Sequence, residues 1–185
     1  MPGAARGPEL RTERLLLRRW RASDRELFAR INADPVVMEF FTDLQSREAS
    51  DEMIDWFEQE FEREGFGIWA VELPGELPLA GFVGLVRVGA DMPFAGAVEV
   101  GWRLTPAAWG RGIAFEGATA ALGFGWERAE LEEIVAYTAA TNLRSRRLME
   151  RLGMRHDAAE DFDHPRIESG HPLSPHVLYR LDRPA

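Results

Sequence analysis

Three stretches of the chain hold residues whose types and spacing can do chemistry. The first is Trp109-Gly110-Arg111-Gly112-Ile113-Ala114, where Pro106 ends a strand-like run and an Ala-rich helical run begins at Gly112. The first amides of a helix have no partner inside it, and the helix dipole adds partial positive charge. Such a terminus binds anions, phosphates above all. Gly110 and Gly112 carry no Cβ and let the backbone approach a bulky diphosphate, and Arg111 adds charge. A plain tight turn with glycine at a helix start explains the same residues. The second stretch is Val98-Glu99-Val100. Strand alternation turns the Glu99 carboxylate away from the face of the two valines, where it either meets solvent or does acid–base work. The third runs from Asn142 to Leu152. Asn142 suits a helix N-cap. Ser145, Leu148, Met149 and Leu152 fall at i, i+3, i+4 and i+7, so the Ser145 hydroxyl faces inward. Bonding back to the Thr141 carbonyl is its ordinary use.

Several chemistries are excluded outright. The chain has no cysteine, which removes disulfides, thiolate metal sites and cysteine nucleophiles. All 22 basic residues are Arg, so neither a Schiff-base lysine nor a P-loop lysine exists. The glycine spacing fits neither a Walker A loop nor a Rossmann fingerprint. His156, His164, His171 and His176 match no metal-ligand spacing, so no metal is expected. A net charge of -9 disfavours a nucleic-acid backbone as partner. No apolar run approaches the ~18 residues of a membrane span, and the N-terminus lacks the apolar stretch of a secretory signal.

The elements that must position these groups follow from periodicity. Residues 1–9, small and rich in Pro and Gly, read as a disordered extension, and residues 10–185 as a single domain. Leu10 to Trp20 reads as a first strand. Ser23 and Glu26 have capping-box spacing at the head of a helix reaching about Ile31. Ser46 caps a longer helix to Glu64, with Met53, Ile54, Phe57 and Phe61 on one face and Gly65 at its end. Strands are expected at Phe66–Leu73, Leu79–Val88, Ala97–Leu104, Glu133–Thr138 and His176–Leu181. Helices are expected at Gly112 to about Arg128 and Asn142–Leu152. Strands interleaved with helices make a mixed α/β or α+β sheet.

Pro106 through Ala114, with Glu99-Val100-Gly101-Trp102 upstream, resembles the acyl-CoA-binding motif of the GNAT N-acetyltransferase superfamily. Asn142-Leu143-Arg144-Ser145 and Leu148 through Met154 are similar to its last motif block. Leu10 through Arg18 resembles the first strand of its ribosomal-protein N-terminal (RimJ/RimL-like) branch. The resemblance runs from Leu10 to Leu181. It implies a mostly antiparallel, twisted sheet of about seven strands with about four flanking helices, splayed between the fourth and fifth strands, Ala97–Leu104 and Glu133–Thr138. Acetyl-CoA, as co-substrate, would lie in that splay with its diphosphate on the amides of Arg111, Gly112, Ile113 and Ala114. Trp102 would line the coenzyme site and the Val100 amide would meet the thioester carbonyl. Asn142 would meet the pantetheine arm, and Arg147 the 3′-phosphate.

The implied reaction moves the acetyl group of acetyl-CoA to a primary amine by direct attack. Glu99 would take the amine's proton, and Ser145 would give one to the leaving thiolate. Two departures stand out: Trp109 replaces the family's frequent Gln or Arg, and Met149 replaces a frequent tyrosine acid. Met149 keeps open an alternative, a regulatory module that binds acyl-CoA without turning it over. The expected acceptor is a protein N-terminal α-amine or a small amine, decided by residues of about 24–64 and 161–175. A bacterial, cytoplasmic protein is expected, and the family's frequent homodimer stands open.

Overall fold

A computed structural model describes residues 8–184. Most of the expected extension over residues 1–9 therefore lies outside the described residues. Pro8 is inside them and is held, its carbonyl accepting the Trp69 indole N–H at 2.7 Å.

Nine strands form one sheet among the described residues. In chain order they are β1 (Leu10–Arg11), β2 (Leu16–Arg18), β3 (Ile68–Leu73), β4 (Leu77–Arg87), β5 (Val98–Leu104), β6 (Glu133–Ala139), β7 (Arg155–His156), β8 (Phe162–Asp163) and β9 (Pro175–Asp182). Four α-helices accompany them: α1 (Asp24–Asn32), α2 (Arg47–Glu64), α3 (Ile113–Glu127) and α4 (Leu143–Arg151). Across the sheet the order is β1-β2-β3-β4-β5-β6-β9-β7, with β8 on β9. Every pairing is antiparallel except β5 with β6, which are parallel and joined through α3. The mixed, mostly antiparallel sheet and its four helices agree with the expectation. The strand count is nine rather than about seven.

Part of the difference is at the start. The expected strand over Leu10–Trp20 is a hairpin in which Leu10 faces Leu17 and Arg11 faces Leu16. The reversal is anchored far away in sequence: Glu116 accepts from the Thr12 hydroxyl at 2.5 Å and from the Arg14 backbone N–H at 3.0 Å. The Ser23 capping box does not form either. Asp24, which is almost fully buried, accepts from the Arg21 backbone N–H and pairs with the equally buried Arg18. A buried charge demands a partner more strongly than a helix end demands a cap. By contrast Ser46 caps α2 as expected, accepting from Ala49 N at 3.1 Å, and Gly65 closes it at φ +75°.

Alternation along the strands sorts three buried clusters. Val83, Leu85, Val98 and Val100 point to the side of α3 and Met149. Ile68, Ala70 and Phe82 point the other way, onto Phe28, Ile54 and Phe57 of α1 and α2. A third cluster, Val88, Met92, Phe94, Val135 and Leu178, covers the rest of that second face. Helix α3 approaches the sheet closely enough that a Cβ on Gly125 would stand 2.7 Å from Ile134. Its N-terminal half is close as well, since a Cβ on Gly117 would stand 3.1 Å from Val83.

Candidate functional site

The sheet opens between β5 and β6. Seven residue pairs join β4 to β5 and seven join β6 to β9, but only Glu99 and Val135 pair between β5 and β6. Val100 is the first residue past that single pair, so the expected splay lies between Ala97–Leu104 and Glu133–Thr138 as anticipated. The two faces of β5 at the opening carry different chemistry.

On the α3 and α4 side the site is built from backbone and neutral side chains. A 3-10 turn over Pro106–Ala108 leads from β5 into the glycine turn. The Trp109 indole donates to the Leu104 carbonyl at 2.9 Å, fastening the turn to the end of β5. Gly110 and Gly112 sit at φ +69° and +78°, in the left-handed region where a side chain is strained. Among the described residues, the amides of Arg111, Gly112, Ile113 and Ala114 donate to no backbone acceptor outside regular structure and to no side chain. They open a helix of 15 residues, which gives an anion both donors and a dipole. These amides fit a diphosphate. The Arg111 side chain does not wait for one: it forks onto Glu76 at 2.6 and 2.8 Å.

Sequence reasoning missed Arg14. Its guanidinium donates to the Arg111 carbonyl at 2.9 Å and pairs with Glu116 at 2.6 Å. Arg14, Arg111, Gly112, Phe115 and Arg151 border a surface cavity of about 540 Å³ beside the turn. The signal is not local, because these residues meet only when β1 and β2 pack on α3.

Farther along the opening, one hydrogen-bonded chain bridges β5, β6 and α4. The Trp102 indole donates to Ser145 Oγ at 3.3 Å. The Asn142 amide donates to Ser145 Oγ at 3.1 Å and to Thr138 Oγ1 at 3.0 Å. Asn142 also caps α4, accepting from Ser145 N at 3.2 Å. Thus Ser145 Oγ receives two donors rather than bonding back to Thr141, and its own proton is left to give. Met149 is buried below it in the core. Of the basic run on α4, Arg144 lies over the Trp109 ring at 4.0 Å and pairs with Glu39. Arg146 reaches the Ala140 carbonyl, and Arg151 covers Phe115 at 4.1 Å. Arg147 is exposed and joins no ion pair among the described residues.

The opposite face of β5 carries Glu99, Gly101 and Arg103. Burial pushes the Glu99 carboxyl up to about 8, with the Tyr137 hydroxyl beside it pulling back in the other direction. Tyr137 belongs to an aromatic wall. Its ring lies 5.2 Å from Phe94, 6.0 Å from Phe162 and 6.2 Å from each of His164 and His176. Burial pushes both histidines down, and the nearness of His176 adds to the shift at His164, which favours neutral rings. Two of the histidines read as tail residues thus face the same side of the sheet as Glu99. His156 stacks on Tyr179 elsewhere and bonds Asp161. Arg103, also missed in the sequence, reaches the α1 end of this face and donates to Asn32 Oδ1 at 2.7 Å. Among the described residues no three His, Asp or Glu side chains gather as a metal site.

The arrangement is a through-cleft. Anion donors lie on one face, a near-neutral carboxyl lies on the other, and a strand gap joins them. Comparison with known proteins agrees. The family model described as an acetyltransferase (GNAT) domain matches residues 14–155. The Bacillus subtilis protein YkkB is 26% identical over 147 residues, covering 79% of this chain and 84% of that protein. The FsC-acetyl coenzyme A-N(2)-transacetylase of Aspergillus fumigatus is 29% identical over 163 residues, covering 80% of this chain and 66% of that one. A crystal structure of a GNAT-family acetyltransferase from Bacillus anthracis superposes with a TM-score of 0.76 at 24% identity, covering 95% of this chain and 99% of that chain. The spermidine N-acetyltransferase of Vibrio cholerae, solved with CoA and spermine, superposes with a TM-score of 0.71 at 18% identity, covering 93% and 97%.

Proposed function

Because the chain belongs to the GNAT acetyltransferase family and is an acetyl-CoA-dependent N-acetyltransferase, we propose that the Glu99 face of the cleft takes a primary amine and the Gly112 face takes the coenzyme. The diphosphate rests on the amides of Arg111, Gly112, Ile113 and Ala114. Asn142 and Trp102 line the path of the pantetheine arm, and Arg147 is free to meet the 3′-phosphate. Glu99 accepts the ammonium proton, directly or through a water. The neutral nitrogen attacks the thioester carbon, forming the N–C bond. The Val100 amide holds the oxygen of the tetrahedral intermediate. Its collapse breaks the C–S bond, Ser145 passes its proton to the CoA sulfur, and the second proton shed by the nitrogen restores the Ser145 hydroxyl through water.

The observation that carries this reading is the Glu99 carboxyl held near 8 by burial. A base works best when its pKa lies near that of the group it deprotonates and near working pH. An α-amine, near ~7.7–8.0, lies closest to it, and an alkyl amine near ~10.4 asks more of the same base. The acceptor in this reading is a protein N-terminal α-amine or a small amine. The ribosomal-protein branch rests on the Leu10–Arg18 resemblance, and a bacterial, cytoplasmic setting on the composition. The chain is one catalytic domain over residues 10–185, with no resident metal.

The test is release of free thiol from acetyl-CoA with a panel of α-amines, polyamines and aminoglycosides. The expected result is acceptor-dependent thiol release that Glu99→Gln abolishes. Tight CoA binding with no release on any amine would instead favour the regulatory module that Met149 left open.

A further inference from the structure

On the Glu99 face of β5, Arg103 stands apart from Arg166, which is near Tyr137 but forked onto Asp91. Arg103 leans on aromatic rings, with Phe41 at 4.3 Å and Phe82 at 5.4 Å. Its Nη1 is spent on the neutral Asn32 carbonyl, which is itself fixed by the Asn32 amide donating to Ser50 at 3.1 Å. Its Nε is buried without a partner, and no carboxylate pairs with it among the described residues. Burial alone accounts for its lowered pKa, and no acidic neighbour raises it. This is unusual in a chain where Arg18, Arg19, Arg25, Arg87 and Arg180 all sit on carboxylates. A buried cation without a counter-charge is costly, so such a group is kept where a ligand supplies the charge.

The floor between Arg103 and Glu99 is Gly101. A Cβ built there meets only Glu99 Oε1, at 3.5 Å, and no other atom within 4 Å. Its backbone does not demand glycine, since its φ is not among the positive ones. The missing side chain leaves open space between the side chains of two residues whose Cα atoms lie roughly 13 Å apart along the strand, the Glu99 carboxyl leaning over it.

We infer that the acceptor is a primary amine bearing its own carboxylate, the amine directed to Glu99 and the carboxylate to Nη2 of Arg103, with its backbone or carbon chain lying on Gly101. Nη2 has no hydrogen-bond partner among the described residues and, unlike Nε, is not sealed from solvent, so it can give a carboxylate a charge-assisted hydrogen bond. A polycation would find Arg103 repelling it. The inference rests on the proposed amine-acetylating function and narrows its acceptor. The carboxylate has two sources, a free amino acid or a peptide whose acidic side chain lies near its N-terminus.

The test separates binding from turnover. Calorimetry with the CoA-loaded protein, which cannot react, measures short and long ω-amino acids, α-amino acids and acidic N-terminal peptides, each against its own amide. For at least one acid the wild type is expected to bind about tenfold to a hundredfold tighter than the amide, as for a hydrogen-bonded charge pair. The series in which it does so identifies the source. In Arg103→Met the two members of each pair bind alike, while CoA affinity and the melting temperature certify an intact fold. Gly101→Val, which leaves Arg103 in place, weakens acid and amide together. Equal binding of acid and amide by the wild type across all series, or a preference that survives Arg103→Met, overturns the inference. Thiol release from acetyl-CoA with the same compounds tests the function independently. A carboxylate preference in binding with no release would break the function and keep the site, and release without preference would do the reverse.

Discussion

The two faces of β5 solve the same problem, holding charge, in opposite ways. On the α3 face three of the cations near the turn already have a carboxylate: Arg14 has Glu116, Arg111 has Glu76 and Arg144 has Glu39. What remains for a ligand there is chiefly backbone, with Arg151 over Phe115 and the exposed Arg147 at the rim. On the other face the charges are left alone, Glu99 held near neutrality and Arg103 without an acid. Backbone donors bind a diphosphate whatever the acceptor is, so that face can serve a common coenzyme. Unsatisfied side chains select, because a ligand lacking the matching group leaves them buried and unpaired. The generic half is rigid and prepaired, and the selective half stores its cost until the acceptor arrives.

The sharpest way to break this contrast is Glu99→Gln. We expect kcat/KM for the amine to fall by about 10²–10⁴-fold, the usual yield of general-base catalysis, with CoA affinity unchanged by calorimetry. The wild-type rate should climb as pH rises through about 8, because only the ionised carboxylate accepts a proton, and the variant should lose that climb. Stability has the opposite sign. Burial raises the folded pKa of Glu99 above its ordinary value of 4.5, so its contribution is intact below that value and drains away as pH rises toward about 8. Thermal melts should therefore find Glu99→Gln gaining on the wild type at pH 9 and matching it at pH 4. A rate loss accompanied by weaker CoA binding would erase the division of labour.

Gly112→Val attacks the other half. A β-branched residue at φ +78° carries strain of roughly 1–2 kcal/mol, and the turn relieves it by moving its amides. CoA binding should weaken about tenfold while the acceptor KM, taken at saturating acetyl-CoA, stays put. Ser145→Ala should cost less, on the order of tenfold in kcat, because it removes one proton donor and leaves the Trp102 and Asn142 donors to water. The smallest effect is expected from Glu76→Gln. It frees Arg111, so CoA should bind slightly tighter at low salt, and the gain should fade as salt screens an exposed charge.

Legibility in the sequence follows the same division. The anion turn was readable because its donors are consecutive amides and its glycines are local. So were the Ser46 cap and the alternation that sets Glu99 against Val98 and Val100. The selective face was not readable. Arg103 matters because no carboxylate comes near it, a fact about the packing of α1, α2 and the loop holding Phe41. Phe94, Phe162 and His164 come from separate segments to pack round Tyr137, whose hydroxyl is beside Glu99. The Leu10–Trp20 hairpin failed for the same reason, since Glu116, which ties its reversal, is 104 residues beyond Thr12.

The central claim is that the coenzyme's diphosphate rests on the amides that open α3. Backbone amide resonances followed by NMR during a CoA titration address it directly. The largest shifts should fall on Arg111, Gly112, Ile113 and Ala114, with those of Glu99 and Arg103 moving little. Saturable CoA binding that left the four turn amides unmoved while perturbing another surface would contradict it.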